Sequence, residues 1–139
     1  FPRAKVSAVT RAIAEHSLSL NKKPSSAESA VLQDADRLDS TGTIAIMRIF
    51  AHCGAHGAEL FSTEDTFCEK GRRPDTQHYG LDWFPKRLDV IPGRLNTATA
   101  RRLAEPLVQS QQLFYKRMRK ELTKLMRMKK DLERQMARM

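Results

Sequence analysis

Apolar residues along this chain recur mostly three and four positions apart, and strand-type alternation is scarce, so the pattern predicts an all-α protein. Val6, Val9, Ala12 and Ile13 form one apolar stripe, which predicts a helix over residues 2–20. Asn21 to Pro24 is a polar break. Ser25 and Glu28 have the spacing of a capping box, and a second helix follows through Val31, Leu32, Ala35 and Leu38. Thr41 and Gly42 interrupt it. A third helix, Ile44 to about Cys53, is apolar almost all round and is expected to be buried.

Gly54 to Gly80 reads as a long polar loop, with four glycines and Pro74, of the kind that is functional or poorly ordered. Tyr79 to Leu95 carries Trp83, Phe84, Leu88, Val90 and Ile91, which predict a short helix and turn closing over the core, with Pro85 near its start. Asn96 or Thr97 is placed to cap a last helix that continues to the C-terminus, and Pro106 is expected to kink it. Its distal part repeats apolar positions in heptad steps through Tyr115, Met118, Leu122, Leu125, Leu132, Met136 and Met139, with Lys129 inserted.

Composition narrows the class. At 139 residues and 40% apolar, the chain suits one modest domain with an appendage. No apolar run approaches the roughly 18–20 residues that span a bilayer. Cys53 and Cys68 have no partner at zinc-type spacing, and two free thiols favour a reducing compartment. The chain begins at Phe1 rather than Met, so a processed organellar targeting segment or a truncation is expected upstream. Net charge is +9, unevenly placed: from Lys116 to Met139 ten Lys or Arg stand against Glu121, Asp131 and Glu133, which is +7, leaving +2 for the rest. The division is residues 1–115 as a helical body and 116–139 as a basic helical extension.

Candidate chemistry centres on Asp34-Ala35-Asp36-Arg37-Leu38-Asp39, three carboxylates and an arginine in six residues. Asp36 and Asp39 lie on the same side of a helix. A carboxylate turned inward from an apolar helix must be paired or bind a metal; the alternative is a solvated face with Arg37 as local partner. His52 and His56 are four apart, but Gly54 and Gly57 speak against a helix through both, so they read as loop histidines.

The string LQDADRLDSTGTIAIMRIFAHCGAHG resembles DADRLDAIGAIGIAR-F of the histidine–aspartate (HD) domain metal-dependent phosphohydrolases. VTRAIAEHSLS upstream is similar to that family's I–HSFS segment. YGLDWFPKRLDVIPGRLNTATARRLAEPL downstream is similar to its HFYEKLLKL and NTE–GR–LAE–R segments. The resemblance covers about residues 6 to 120. It implies a partial HD-domain helical bundle, and a site in which a histidine, an adjacent His-Asp pair and a distant aspartate hold one or two divalent ions that activate water. By the A-D-R-L context Asp36 is the metal ligand, with Asp34 the lesser candidate. Arg37 is expected to orient Asp36 or meet phosphate, His16 to lie near the substrate mouth, and Lys86 to match the lysine of FYEKL, although Pro85 departs from the family glutamate. Thr43 and Ala45 also depart from the family's tighter helix start.

No His-Asp dipeptide occurs in the chain, because His16, His52, His56 and His78 are followed by Ser, Cys, Gly and Tyr. The family's first histidine and its His-Asp pair precede the segment that begins here. Alone, the chain is therefore expected to hold no cofactor and to be catalytically incompetent; with an upstream half present, Mn, Fe or Mg would be expected. The inner faces of residues 6–20 and 31–53 would need a protein partner. Lys116, Arg117, Arg119, Lys120, Lys124, Arg127, Lys129, Lys130, Arg134 and Arg138 would bind an RNA backbone by charge. No aromatic follows Tyr115 to stack on bases. The leading expectation is a pseudoenzyme serving as a structural subunit of an organellar ribonucleoprotein, such as a mitochondrial ribosome. The alternative is part of an active phosphohydrolase for a nucleotide or other phosphate ester, completed by an upstream segment or second chain.

Overall fold

The computed structural model describes residues 2–138. Four α-helices carry the chain: α1 (Val6–Glu15), α2 (Ala27–Asp39), α3 (Gly42–Ala55) and α4 (Ala98–Met136). Turns of 3-10 helix at Arg3–Lys5 and Leu18–Leu20 flank α1. Between α3 and α4 lie a 3-10 turn (Gly80–Asp82), a π turn (Phe84–Leu88) and a second 3-10 turn (Ile91–Arg94). No strand forms among the described residues; one isolated parallel bridge joins Glu59 and Tyr79. The all-α expectation holds.

Glu15 fastens α1 to α2. Its carboxylate accepts from the Ser29 hydroxyl at 2.5 Å and from the Ser25 hydroxyl and N–H at 3.0 and 2.9 Å. Ser29 first, then Ser25, hold its pKa below the ordinary carboxylate value. The cap of α2 is Ser26, whose side chain accepts from the Ser29 N–H at 3.1 Å. This corrects the Ser25–Glu28 box by one residue, because Glu15 recruits Ser25.

α3 begins on Gly42 at φ +84°, a backbone that side chains rarely adopt, and a Cβ there would meet the Leu107 side chain at 3.2 Å. Its N–H donates to Oε1 of the buried Gln111 at 3.2 Å, which joins the start of α3 to α4. α3 is not buried all round. Ala45, Ile46 and Cys53 face inward, whereas Ile44 and Met47 are 67% and 64% exposed. α3 packs mainly on α4 and the 80–82 turn, and Arg48 reaches Asp39 at the end of α2.

The core joins Ile46, Leu81, Phe84 and Leu88, with Phe114, Tyr115, Met118 and Leu122 of α4 packed against it. Phe84 stacks on Tyr115 with ring centroids 4.6 Å apart. Three of the seam residues, Tyr115, Met118 and Leu122, thus pack on the body rather than on a partner. Met139 of that seam lies outside the described residues. α4 continues through Pro106, which falls inside it.

The polar segment from 57 to 80 is organised around one buried ion pair. Arg72 holds Asp82 bidentately, at 2.5 and 2.8 Å, and Asp82 is 1% exposed. Arg72 also donates to the Asp65 carbonyl and lies over the Tyr79 ring. Asp65 in turn accepts from the N–H groups of Glu69 and Lys70, both at 2.9 Å. Gly80 lets this segment press on α3, since a Cβ there would come within 3.0 Å of the Phe50 ring.

Candidate functional site

A cavity of about 490 Å³ opens where the end of α2, one face of α3 and the π turn converge. α2 contributes Asp36 and Asp39, three apart and on one side as helix geometry requires. α3 contributes Arg48 and His52, four apart and on one side. The π turn contributes Arg87 and Leu88, with Trp83 just before it. Its widened ring is closed by the Asp89 N–H on the Phe84 carbonyl at 3.0 Å. This lets Phe84 and Leu88 enter the core while Arg87 reaches the cavity.

The wall carries both signs of charge. Asp36 is half-buried and enters no ion pair among the described residues. Arg48 pairs with Asp39, both largely exposed. An exposed pair of this kind contributes about 0–1 kcal/mol, so Arg48 exchanges Asp39 for another anion at little cost. Arg87 lies 5.8 Å from the Trp83 ring centroid, and the Arg87 Nε and Trp83 Nε1 groups are buried without a partner. Both atoms are closed to solvent, so any contact that Arg87 makes with a ligand in the cavity falls to its terminal guanidinium nitrogens.

Asp34, two residues from Asp36, points the other way. Its carboxylate accepts from the Asn96 N–H at 2.7 Å, the Asn96 side chain at 3.1 Å, and the Thr97 N–H and hydroxyl, each at 2.8 Å. Burial alone would push this carboxyl up, but the Asn96 and Thr97 hydrogen bonds outweigh it and hold the pKa below the ordinary value. Asp34 is an anchor for the start of α4, with its oxygens already engaged. Arg37 is buried beside it, 3.9 Å away, and donates to the Arg94 carbonyl at 2.5 Å. It braces the turn before α4 and does not line the cavity. His16, at the end of α1, has Nδ1 2.6 Å from the Ile13 carbonyl. Lys86 is exposed and donates to the Thr76 hydroxyl at 3.3 Å. Neither lines the cavity.

Of the residues singled out by sequence, the cavity therefore gathers Asp36 and leaves out Asp34, Arg37, His16 and Lys86. It also gathers Asp39 and His52, both weighed above for other roles, and adds Arg48, Trp83 and Arg87. α3 continues through Gly54 to Ala55, so His52 is helical and His56 is its C-cap, with the two rings 4.0 Å apart. That corrects the loop assignment of His52. Helical spacing of Arg48 and His52 was the available signal.

A divalent ion, implied by the family resemblance, does not fit the described residues as a complete set. No group of three His, Cys, Asp or Glu among them could hold a metal ion. Asp36 offers one oxygen donor.

The ten basic positions of the last helix differ in setting. Arg119 is tied into the body, ion-paired with Glu69 and 4.7 Å over the Phe67 ring. Lys129 and Arg134 pair loosely within the helix, with Glu133 at 3.8 Å and Asp131 at 3.7 Å. The rest stand on the exposed side of α4, apart from the cavity.

These features define an all-α, HD-like helical bundle with a charged cavity at the A-D-R-L helix. No protein-family model matches the chain. It is 38% identical over 86 residues to the protein YpgQ of Bacillus subtilis, a match covering 62% of this chain and 36% of YpgQ. The Lin1889 protein of Listeria innocua superimposes with a TM-score of 0.70 at 29% identity, covering 88% of this chain and 59% of that one. A solved structure of YpgQ in complex with ADP superimposes with a TM-score of 0.67 at 26% identity, covering 87% and 54%. An HD-superfamily hydrolase from Bacillus thuringiensis superimposes with a TM-score of 0.57 at 31% identity, covering 70% and 47%. The chain thus spans about a third of the curated relative and about half or somewhat more of each solved neighbour.

Proposed function

We propose that this chain is the distal part of an HD-type phosphohydrolase that acts on a nucleotide, with the Asp36 cavity as its share of the active site. The observation that carries this is the juxtaposition of an uncommitted Asp36 with Arg48, His52 and Arg87 around one opening. Guanidinium groups recognise phosphate through paired N–H donors, and two guanidinium side chains, Arg48 and Arg87, line this opening. The ADP held by YpgQ supports a nucleotide as the ligand class. A divalent ion, when bound, would polarise phosphate and activate water. Asp36 is the residue here that would ligate it, and the remaining ligands belong to a segment or chain beyond the described residues.

The test is phosphate release from nucleoside di- and triphosphates by the product of the entire gene, with and without Mn²⁺. Metal-dependent turnover that falls by at least about a hundredfold in Asp36→Ala is expected, since a lost metal ligand removes several kcal/mol of transition-state stabilisation. Turnover unaffected by Asp36→Ala, or none at all, overturns the proposal.

The second reading, a catalytically incompetent structural subunit of an organellar ribonucleoprotein, rests on the net +7 of residues 116–139. The hydrolase and nucleotide-bound neighbours lend weight to the first reading and none to this one.

A further inference from the structure

α4 leaves the body before it ends. Among the described residues Met126 makes the last hydrogen-bond contact of α4 with the body, the Thr66 hydroxyl at 3.7 Å from its sulfur, and residues 127–138 are exposed throughout. That projection is about 18 Å of helix at 1.5 Å per residue. A free helix of this length is marginal in water unless something packs on it.

Its surface is two-sided. Leu125, Met128, Leu132 and Met136 follow one another at three and four residues, and each is more than half exposed. Lys120, Lys124, Arg127, Lys130, Arg134 and Arg138 occupy the other side. The strip adjoins a groove of about 480 Å³ on α4 of mixed character, lined by Ser110, Leu113, Phe114, Arg117, Met118 and Glu121. From Ser110 to Met136 the positions 110, 114, 117, 121, 125, 128, 132 and 136 advance by three or four. Groove and strip therefore lie along one seam about 40 Å long, polar and charged around Phe114 in its first half and apolar from Leu125 onwards.

We infer that this seam is a docking surface for an acidic amphipathic helix of a partner protein. A narrow seam is coiled-coil geometry, and helix-in-groove binding uses anchors at such spacing. The segment 116–139 carries net +7, and its field favours a partner of opposite sign. A second copy would set +7 against +7. A bilayer surface calls for a broader apolar face with aromatic anchors, and Glu121 lies within this seam. A nucleic acid would take the basic side and leave the Leu and Met side chains uncovered.

The test titrates the 139-residue chain into a labelled four-heptad peptide with Leu at both seam positions and Glu on both flanks. Saturable binding on the order of micromolar is expected. Affinity should fall about tenfold or more when the flanks are Lys, and likewise for Leu125→Ser/Leu132→Ser. Both positions are exposed, so the thermal unfolding of that variant should match the parent. Binding that survives the double substitution overturns the inference. So does tighter association with phosphatidylserine vesicles or a duplex RNA of about 16 base pairs, or a dimer that the same double substitution dissociates.

Discussion

The Asp34 carboxylate and Thr97 meet through two hydrogen bonds of 2.8 Å, one from the Thr97 N–H and one from its hydroxyl. Thr97 in turn caps α4, its hydroxyl oxygen accepting from the Ala100 N–H at 3.1 Å. One buried carboxylate on α2 therefore fixes where the longest helix begins. Asp34→Ala should cost about 2–4 kcal/mol, because it strands several buried donors and loosens a cap. Urea unfolding at neutral pH measures this.

The same carboxylate gives stability a pH dependence of known sign. Its folded pKa lies below the ordinary value, so the unfolded state binds the proton more readily. The contribution is complete above the unfolded pKa of about 4 and is lost as pH falls through the lower folded value. Asp34→Asn should be less stable than the parent at pH 7, with the difference shrinking below about pH 4. Parallel melts across that range decide it.

Arg72 and Asp82 make a buried bidentate pair inside an otherwise polar segment. Removing one partner leaves the other charge uncompensated, so Arg72→Ala should destabilise by about 3–5 kcal/mol. Limited proteolysis should then cut first between residues 57 and 80. A variant as stable and as protease-resistant as the parent would show that the pair does not organise the segment.

Arg87 and Arg48 differ in how firmly they are held. On the nucleotide-binding proposal, Arg87→Ala should weaken ADP binding about tenfold, the effect of losing one charge-assisted hydrogen bond. Arg48→Ala, which also frees Asp39, should weaken it less. Calorimetric titration of the two variants separates them, and equal affinities would move the ligand elsewhere.

Gly42 sits at φ +84° against Leu107. Gly42→Ala should cost about 1–3 kcal/mol through backbone strain and contact with that side chain. Thermal unfolding reads it directly.

Much of the architecture was visible in sequence because it depends on local rules. The break at Asn21–Pro24, the glycine at 42 and the cap at Thr97 each act within a turn of their own position. Asp36 was visible through its A-D-R-L context. What escaped depends on residues far apart in the chain. Ser25 was lost as a cap to Glu15, ten positions earlier. Asp34 and Asp36 look alike in sequence, and the donors at Asn96 and Thr97 tell them apart. The polar segment reads only as a long loop, functional or poorly ordered, because its order comes from the Arg72–Asp82 pair rather than from an apolar pattern. Arg87 gave no signal, since the π turn that presents it has no simple spacing.

The two aspartates of α2 also separate what selection can change from what it must keep. Asp34 is bound up with the geometry of α4, whereas Asp36 stands on the opposite side of the same helix, at an opening. A substitution at Asp36 therefore leaves the scaffold undisturbed, while any change at Asp34 is felt in folding. Two carboxylates one helical half-turn apart thus answer to different constraints, one to the fold and one to whatever meets the opening.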